Sequence, residues 1–89
     1  MNKNELRQII LEHGDVVVTY RSRNSKKLKY NVVTLNFNTK YIRTKRTFAK
    51  EDGSNLLCFA WDTDSYRLIT CSQVMSAVPL AAVLRNRID

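Results

Sequence analysis

Ten basic side chains lie between Val16 and Lys50 with no Asp or Glu among them: Arg21, Arg23, Lys26, Lys27, Lys29, Lys40, Arg43, Lys45, Arg46 and Lys50. Lysine and arginine at this density neutralise phosphates and release counterions, and an aromatic ring in their midst, here Tyr41, can stack on a base. The acids cluster outside this stretch, at Glu5, Glu12 and Asp15 before it and at Glu51, Asp52, Asp62 and Asp64 after it. One-sided charge of this kind builds a field that attracts anions. The competing account is a solvated polar face, because outward strand positions are usually polar.

Catalytic chemistry is poorly supplied. There is no Gly-rich phosphate loop and no nucleophile elbow. Asp62 and Asp64 flank Thr63 and precede Ser65, a composition that tight turns explain. Two acids without further ligands make a poor cation site. His13 is the only histidine and Cys58 and Cys71 the only cysteines, short of a zinc ligand set. The chain therefore reads as a binding protein and not an enzyme, with no metal and no cofactor. The two thiols fall on neighbouring strands and share a face, but diagonally, which disfavours a disulfide.

These residues need a frame. A chain of 89 residues with 44% hydrophobic content makes one domain, residues 1–89, with a core of modest size. No apolar run approaches a membrane span. The start, Met1-Asn2-Lys3-Asn4-Glu5, lacks a secretory signal, so a cytoplasmic location is expected.

Leu6, Ile9, Ile10 and His13 recur at helical spacing and predict a helix over 3–13, capped by Asn2 or Asn4 and stopped by Gly14. From Asp15 the period changes to two. Val16, Val18 and Tyr20 alternate with Val17, Thr19 and Arg21 as a strand, and 21–27 is a hairpin loop. A second strand over 28–37 carries Leu28, Tyr30 and Val32 on one face, then slips phase to Val33, Leu35 and Phe37, which signals a bulge or bend. A third strand is predicted over 39–48, with Ile42 and Phe48 inward and Tyr41, Arg43 and Lys45 outward. A turn at Asp52-Gly53 follows, then strands over 56–62 and 66–72, with Trp61 opposite Tyr66. Both faces of this last pair are apolar, so the N-terminal helix or a second subunit must cover one of them. Residues 73–78 can continue as a short strand, and Pro79 opens a C-terminal turn or short helix over 79–88, with Leu80, Leu84 and Ile88 on one face. The expected fold is mainly β: a small, strongly bent, five-stranded antiparallel barrel over 15–78 with an N-terminal α-helix.

The segment from Leu56 to Leu80, LLCFAWDTDSYRLITCSQVMSAVPL, resembles the end of a WYL domain, an Sm-like, SH3-like small barrel. Arg67, Ile69, Val74 and Leu80 occupy the places of its closing strands, and Val16-Val17-Val18-Thr19-Tyr20 looks like its first strand. The Trp61-Asp62 pair before the turn is similar to that of small Sm-like barrel proteins of large tailed phages. The sequence departs from the WYL pattern at Gln73, where a basic residue is usual, and at Ile69, where an aromatic is usual. The resemblance implies binding of nucleic acid or nucleotide-like ligands, and it implies Arg67 as a ligand contact. A salt bridge from Arg67 to Asp62 or Asp64 is the competing role.

Taken together, the residues point to a nucleic-acid-binding accessory or regulatory module, phage-encoded if the resemblance extends to origin, and then working in the host cytoplasm. Its contacts would be Arg21, Arg23, Lys26, Lys27, Lys29, Tyr41, Arg43, Lys45 and Arg46. Two alternatives stand beside it: capture of an anionic nucleotide-like ligand, and an adaptor or inhibitor docking on an acidic host protein. A homodimer or higher oligomer fits the two-sided apolar hairpin.

Overall fold

Asn2 starts the first element. Its side chain accepts a hydrogen bond from the Glu5 N–H at 2.8 Å, and helix α1 runs Lys3–His13. Gly14 ends it at φ 85°, a conformation that penalises any β-carbon, and its N–H returns to the Ile10 carbonyl at 2.8 Å. Leu6 and Ile10 are buried, Ile9 packs beside them and His13 is exposed. The computed structural model describes residues 1–22, 24–47 and 49–87.

Five antiparallel strands follow: β1 (Val16–Arg21), β2 (Leu28–Thr34), β3 (Asn55–Ala60), β4 (Ser65–Thr70) and β5 (Val74–Pro79). They form one open sheet in the order β4-β3-β2-β1-β5, with β4 and β5 as its edges. A 3-10 turn, Cys71–Gln73, leads from β4 into β5, and helix α3 (Leu80–Arg87) follows Pro79. The mainly β, five-stranded antiparallel architecture with a helix at each end agrees with the expectation, but the sheet stays open where a closed barrel was expected, and its fifth strand is Val74–Pro79 in place of the segment 39–48.

Val16 and Val18 of β1, Val33 of β2, Leu56, Cys58 and Ala60 of β3 and Ile69 of β4 share one face, closed by Leu6 and Ile10 of α1. On the other face of β3, Phe59 is fully buried in edge-to-face contact with Tyr66, Trp61 and Tyr41, at ring-centroid distances of 5.4, 5.3 and 6.5 Å. The first face of the β3–β4 hairpin is thus covered from within the chain, and on the second Phe59 is covered while Trp61 and Leu68 stay 38% and 40% exposed.

Three local expectations need correction. Strand β2 ends at Thr34 and not at Phe37, because the Thr34 hydroxyl and the Asn36 amide oxygen accept the N–H groups of Asn36 and Asn38 (3.1 and 3.3 Å) and bend the chain into a turn. The strand expected over 39–48 is instead a four-residue helix, α2 (Lys40–Arg43), followed by a loop. Thr39 caps that helix by accepting from the Ile42 N–H at 3.3 Å, and Ile42 is buried as expected. The β3–β4 register places Phe59 opposite Tyr66 and Cys58 opposite Arg67, two residues away from the expected pairing. Trp61 has left the ladder: its backbone N–H donates to the Val32 carbonyl at 2.7 Å and its indole N–H to Asp15 at 2.9 Å. A shift of two residues preserves each side chain's face, so the core assignment survives. Phe48, expected to point inward, and Ile88, expected to share a face with Leu80 and Leu84, lie outside the described residues.

Candidate anion-binding cleft

Strands β2 and β3 pair only across Val33↔Ala60 and Thr34↔Phe59. Beyond those pairs the strands part, and side-chain carboxylates accept the backbone N–H groups that the ladder no longer serves. Asp62 accepts from Val32 at 2.9 Å, Glu51 from Leu57 at 3.1 Å and Asp52 from Asn55 at 2.9 Å. Carboxylates are strong acceptors for backbone N–H groups, so these acids serve the backbone before they are anything else.

The parting opens a cleft of about 350 Å³ between the first half of β2 and the β3–β4 turn, lined by Tyr20, Leu28, Lys29, Tyr30, Asn31, Asp62, Thr63 and Arg67. Asn31 is a polar residue at an inward position, only 3% exposed. Its amide oxygen accepts from the Tyr20 hydroxyl at 2.6 Å, and its Nδ2 donates to Asp62 at 3.1 Å. Two cations face this cleft from different hairpins, Lys29 on β2 and Arg67 on β4. Neither forms an ion pair among the described residues. Asp62 is engaged by Val32 and Asn31, and Asp64 by the Tyr41 hydroxyl and Lys45 at 2.5 and 3.1 Å. The salt bridge weighed for Arg67 is therefore not formed.

The basic residues singled out in the sequence divide into two groups. Arg21, Lys26, Lys27 and Lys29 are exposed on the β1–β2 hairpin, and Arg23, assigned to the same group, lies outside the described residues. Tyr41, Arg43, Lys45 and Arg46 lie on α2 and the loop after it, not on an outward strand face. The β3–β4 turn separates the groups, since Asp62 and Thr63 line the cleft while Asp64 reaches over to α2. Tyr41 is half exposed but already occupied. Its ring stacks on Trp61 at 6.2 Å and lies under the Lys45 ammonium at 5.0 Å. Arg43 and Arg46 are exposed without an ion-pair partner among the described residues. Tyr20, Tyr30 and Asn31 escaped the sequence reading. The signal available was Asn31, a polar residue in the inward phase of β2.

Titration follows these contacts. Hydrogen bonds from Tyr41 and Lys45 hold the Asp64 carboxyl below its ordinary value, and the same bond raises Lys45. Partial burial works against ionisation of Glu51, but hydrogen bonds from Lys3, the Leu57 N–H and Arg7 outweigh it and lower its pKa. Burial pushes the Cys58 thiol up to about 12, and it raises Cys71 in the same direction. Such thiols are poor nucleophiles. Among the described residues no three His, Cys, Asp or Glu side chains converge on a metal position, and no helix is long and apolar enough to cross a membrane. What the cleft can do is hold an anion beside an aromatic surface. No family model, curated protein or solved structure matches this chain.

Proposed function

We propose that the protein is a non-catalytic nucleic-acid-binding module that grips the phosphate backbone with the β1–β2 hairpin and the cleft beside it. The observation that carries this reading is the meeting of Lys29 and Arg67 in one cleft with Tyr20 and Tyr30, where the lining carboxylate, Asp62, is taken up by the Val32 N–H and Asn31 while Asp64 turns to Tyr41 and Lys45. Arg21, Lys26 and Lys27 extend the cationic surface along the hairpin. Tyr30 is 63% exposed and offers a ring for stacking. No base-reading element accompanies these cations, so binding is weakly sequence-selective and strongly salt-dependent. The five antiparallel strands, with β1 between β2 and β5 and a helix in front, also support kinship with WYL-like and Sm-like small barrels.

Titration of labelled single-stranded oligonucleotides across a salt series tests the reading. Each phosphate contact contributes about −0.7 to the slope of log K against log salt, so Lys29→Gln combined with Arg67→Gln should reduce the slope by roughly 1.4. Affinity that ignores salt, or a double variant that binds like the parent, removes the electrostatic mechanism.

The size of the cleft favours one second reading. Its volume of about 350 Å³ falls within the roughly 300–1,000 Å³ of small-ligand sites. A nucleoside monophosphate seated there would raise the melting temperature and saturate at one per chain. Nucleic-acid binding would instead strengthen with polymer length.

A further inference from the structure

The hydrogen-bond direction along β2 follows from one residue. Val32 sends its N–H to Asp62 and receives the Trp61 N–H on its carbonyl, so both its polar backbone groups point away from β1. In an antiparallel pair, alternate residues turn their backbone groups to opposite sides. Lys27, whose carbonyl accepts from the Ser22 N–H at 2.9 Å, fixes the opposite phase. Leu28 and Tyr30 therefore share the direction of Val32 and point their N–H and C=O groups into the cleft. There β3 has already turned away, and no hydrogen bond reaches them among the described residues. At Val32, Leu57 and Asn55 the chain supplies its own carboxylate acceptor. At Leu28 and Tyr30 it supplies none.

Two further observations bracket this open half-edge. On one side of it stand Lys29 and Arg67, without an ion pair among the described residues, with Asp62 beside them held by Asn31 and the Val32 N–H. On the other, Leu28 and Tyr30 present 58% and 63% of their surface to solvent, beside an apolar groove of about 440 Å³ that includes Val32 and Leu84. A strand laid along Leu28–Tyr30 would alternate its side chains between these two environments. We propose that this half-edge binds an extended peptide by strand addition, and that the peptide alternates acidic residues, facing Lys29 and Arg67, with apolar residues, facing Leu28 and Tyr30. A nucleic acid complements the cations but offers no regular series of donors for the two free carbonyls, whereas a peptide backbone offers both donors and acceptors at the strand repeat. A second copy of this chain carrying the same basic hairpin would meet it with like charge. The peptide shares Lys29 and Arg67 with the nucleic-acid reading, so the two ligands exclude one another.

Amide hydrogen exchange and NMR titration test this. In the free protein the Leu28 and Tyr30 amides exchange fast while those of Lys29 and Asn31 are protected. A blocked Glu-Val-Glu-Val-Glu peptide slows Leu28 and Tyr30 by roughly tenfold or more at saturation, and its affinity drops in Lys29→Gln and Arg67→Gln. Protection of Leu28 and Tyr30 before any peptide is added overturns the proposal. So does an equal response to a peptide with Lys in place of Glu, or no shift at these residues at millimolar peptide. A single-stranded oligonucleotide run in parallel separates the readings. Oligonucleotide binding without peptide binding sinks strand addition alone, and the reverse sinks the nucleic-acid reading alone.

Discussion

Replacing Asp62 by Ala removes the acceptor at the point where β2 and β3 separate. Two donors lose their partner. The Val32 N–H, 2.9 Å from Oδ1, can turn to water, at a cost of roughly 1 kcal/mol. The Asn31 Nδ2, 3.1 Å from Oδ2, belongs to a residue only 3% exposed and is left unsatisfied, which costs about 2 kcal/mol more. The sum, about 3 kcal/mol, is a large part of the roughly 4–13 kcal/mol expected for a chain of this size. At about 4–8 °C per kcal/mol, the melting temperature of Asp62→Ala should fall by roughly 12–24 °C in a circular-dichroism melt. Asp64→Ala is the control, since Asp64 holds only side chains that water can reach, Tyr41 and Lys45; its melting temperature should move much less. A double-mutant cycle sharpens the test. Asn31→Ala combined with Asp62→Ala should destabilise less than the two changes summed, because removing both partners leaves no orphaned amide between them. Equal losses for the two turn acids, or additivity in the cycle, would refute the account of Asp62.

Two further outcomes follow from titration and burial. Glu51 has a folded pKa below its ordinary value of 4.5, so its contribution to stability is complete above 4.5 and is lost as pH falls through the lower folded value. Glu51→Gln should therefore start with a lower melting temperature at neutral pH and show a shallower acid limb; an acid limb as steep as the parent's would count against the Lys3–Glu51–Arg7 tether. Cys58 and Cys71, both buried, should resist dithiobis(nitrobenzoate) in the native state and react fully after unfolding, and rapid native labelling of either would contradict their placement.

Where a periodicity is local, the sequence was informative. The i, i+3, i+4 spacing of Leu6, Ile9 and Ile10 and the alternation of Val16, Val18 and Tyr20 each depend on one element, and both elements stand where they are expected. The 39–48 segment failed because Thr39, Tyr41 and Arg43 alternate like a strand while the Thr39 hydroxyl can equally cap a helix. A side-chain cap decided the outcome, and side-chain caps leave little mark on periodicity. The β3–β4 register failed for a different reason. Trp61 is held by Val32 and Asp15, partners 29 and 46 positions away in the chain, and no pairing rule confined to the hairpin contains them. The cleft was half legible. Lys29 and Arg67 could be named singly, but their meeting depends on β2 and β3 pairing over two residues only.

The same short pairing decides what the charge can do. Counting residues gives a chain at +7, yet the count says nothing about which charges are already committed. Parting β2 from β3 exposes backbone N–H groups, and carboxylates are the side chains that best satisfy them because they accept strongly. Glu51, Asp52 and Asp62 are drawn to the backbone for that reason, and Lys3 and Arg7 of α1 pair with Glu51 there. Asp64 takes Lys45. The acids best placed to oppose Lys29 and Arg67 are thus fixed by the fold's own hydrogen-bond requirements, and among the described residues the two cations form no ion pair beside the stretch of β2 whose N–H groups meet no acceptor. A change that lengthened the β2–β3 ladder would release those carboxylates and close the half-edge together, so stability and ligand binding should trade against each other at this seam.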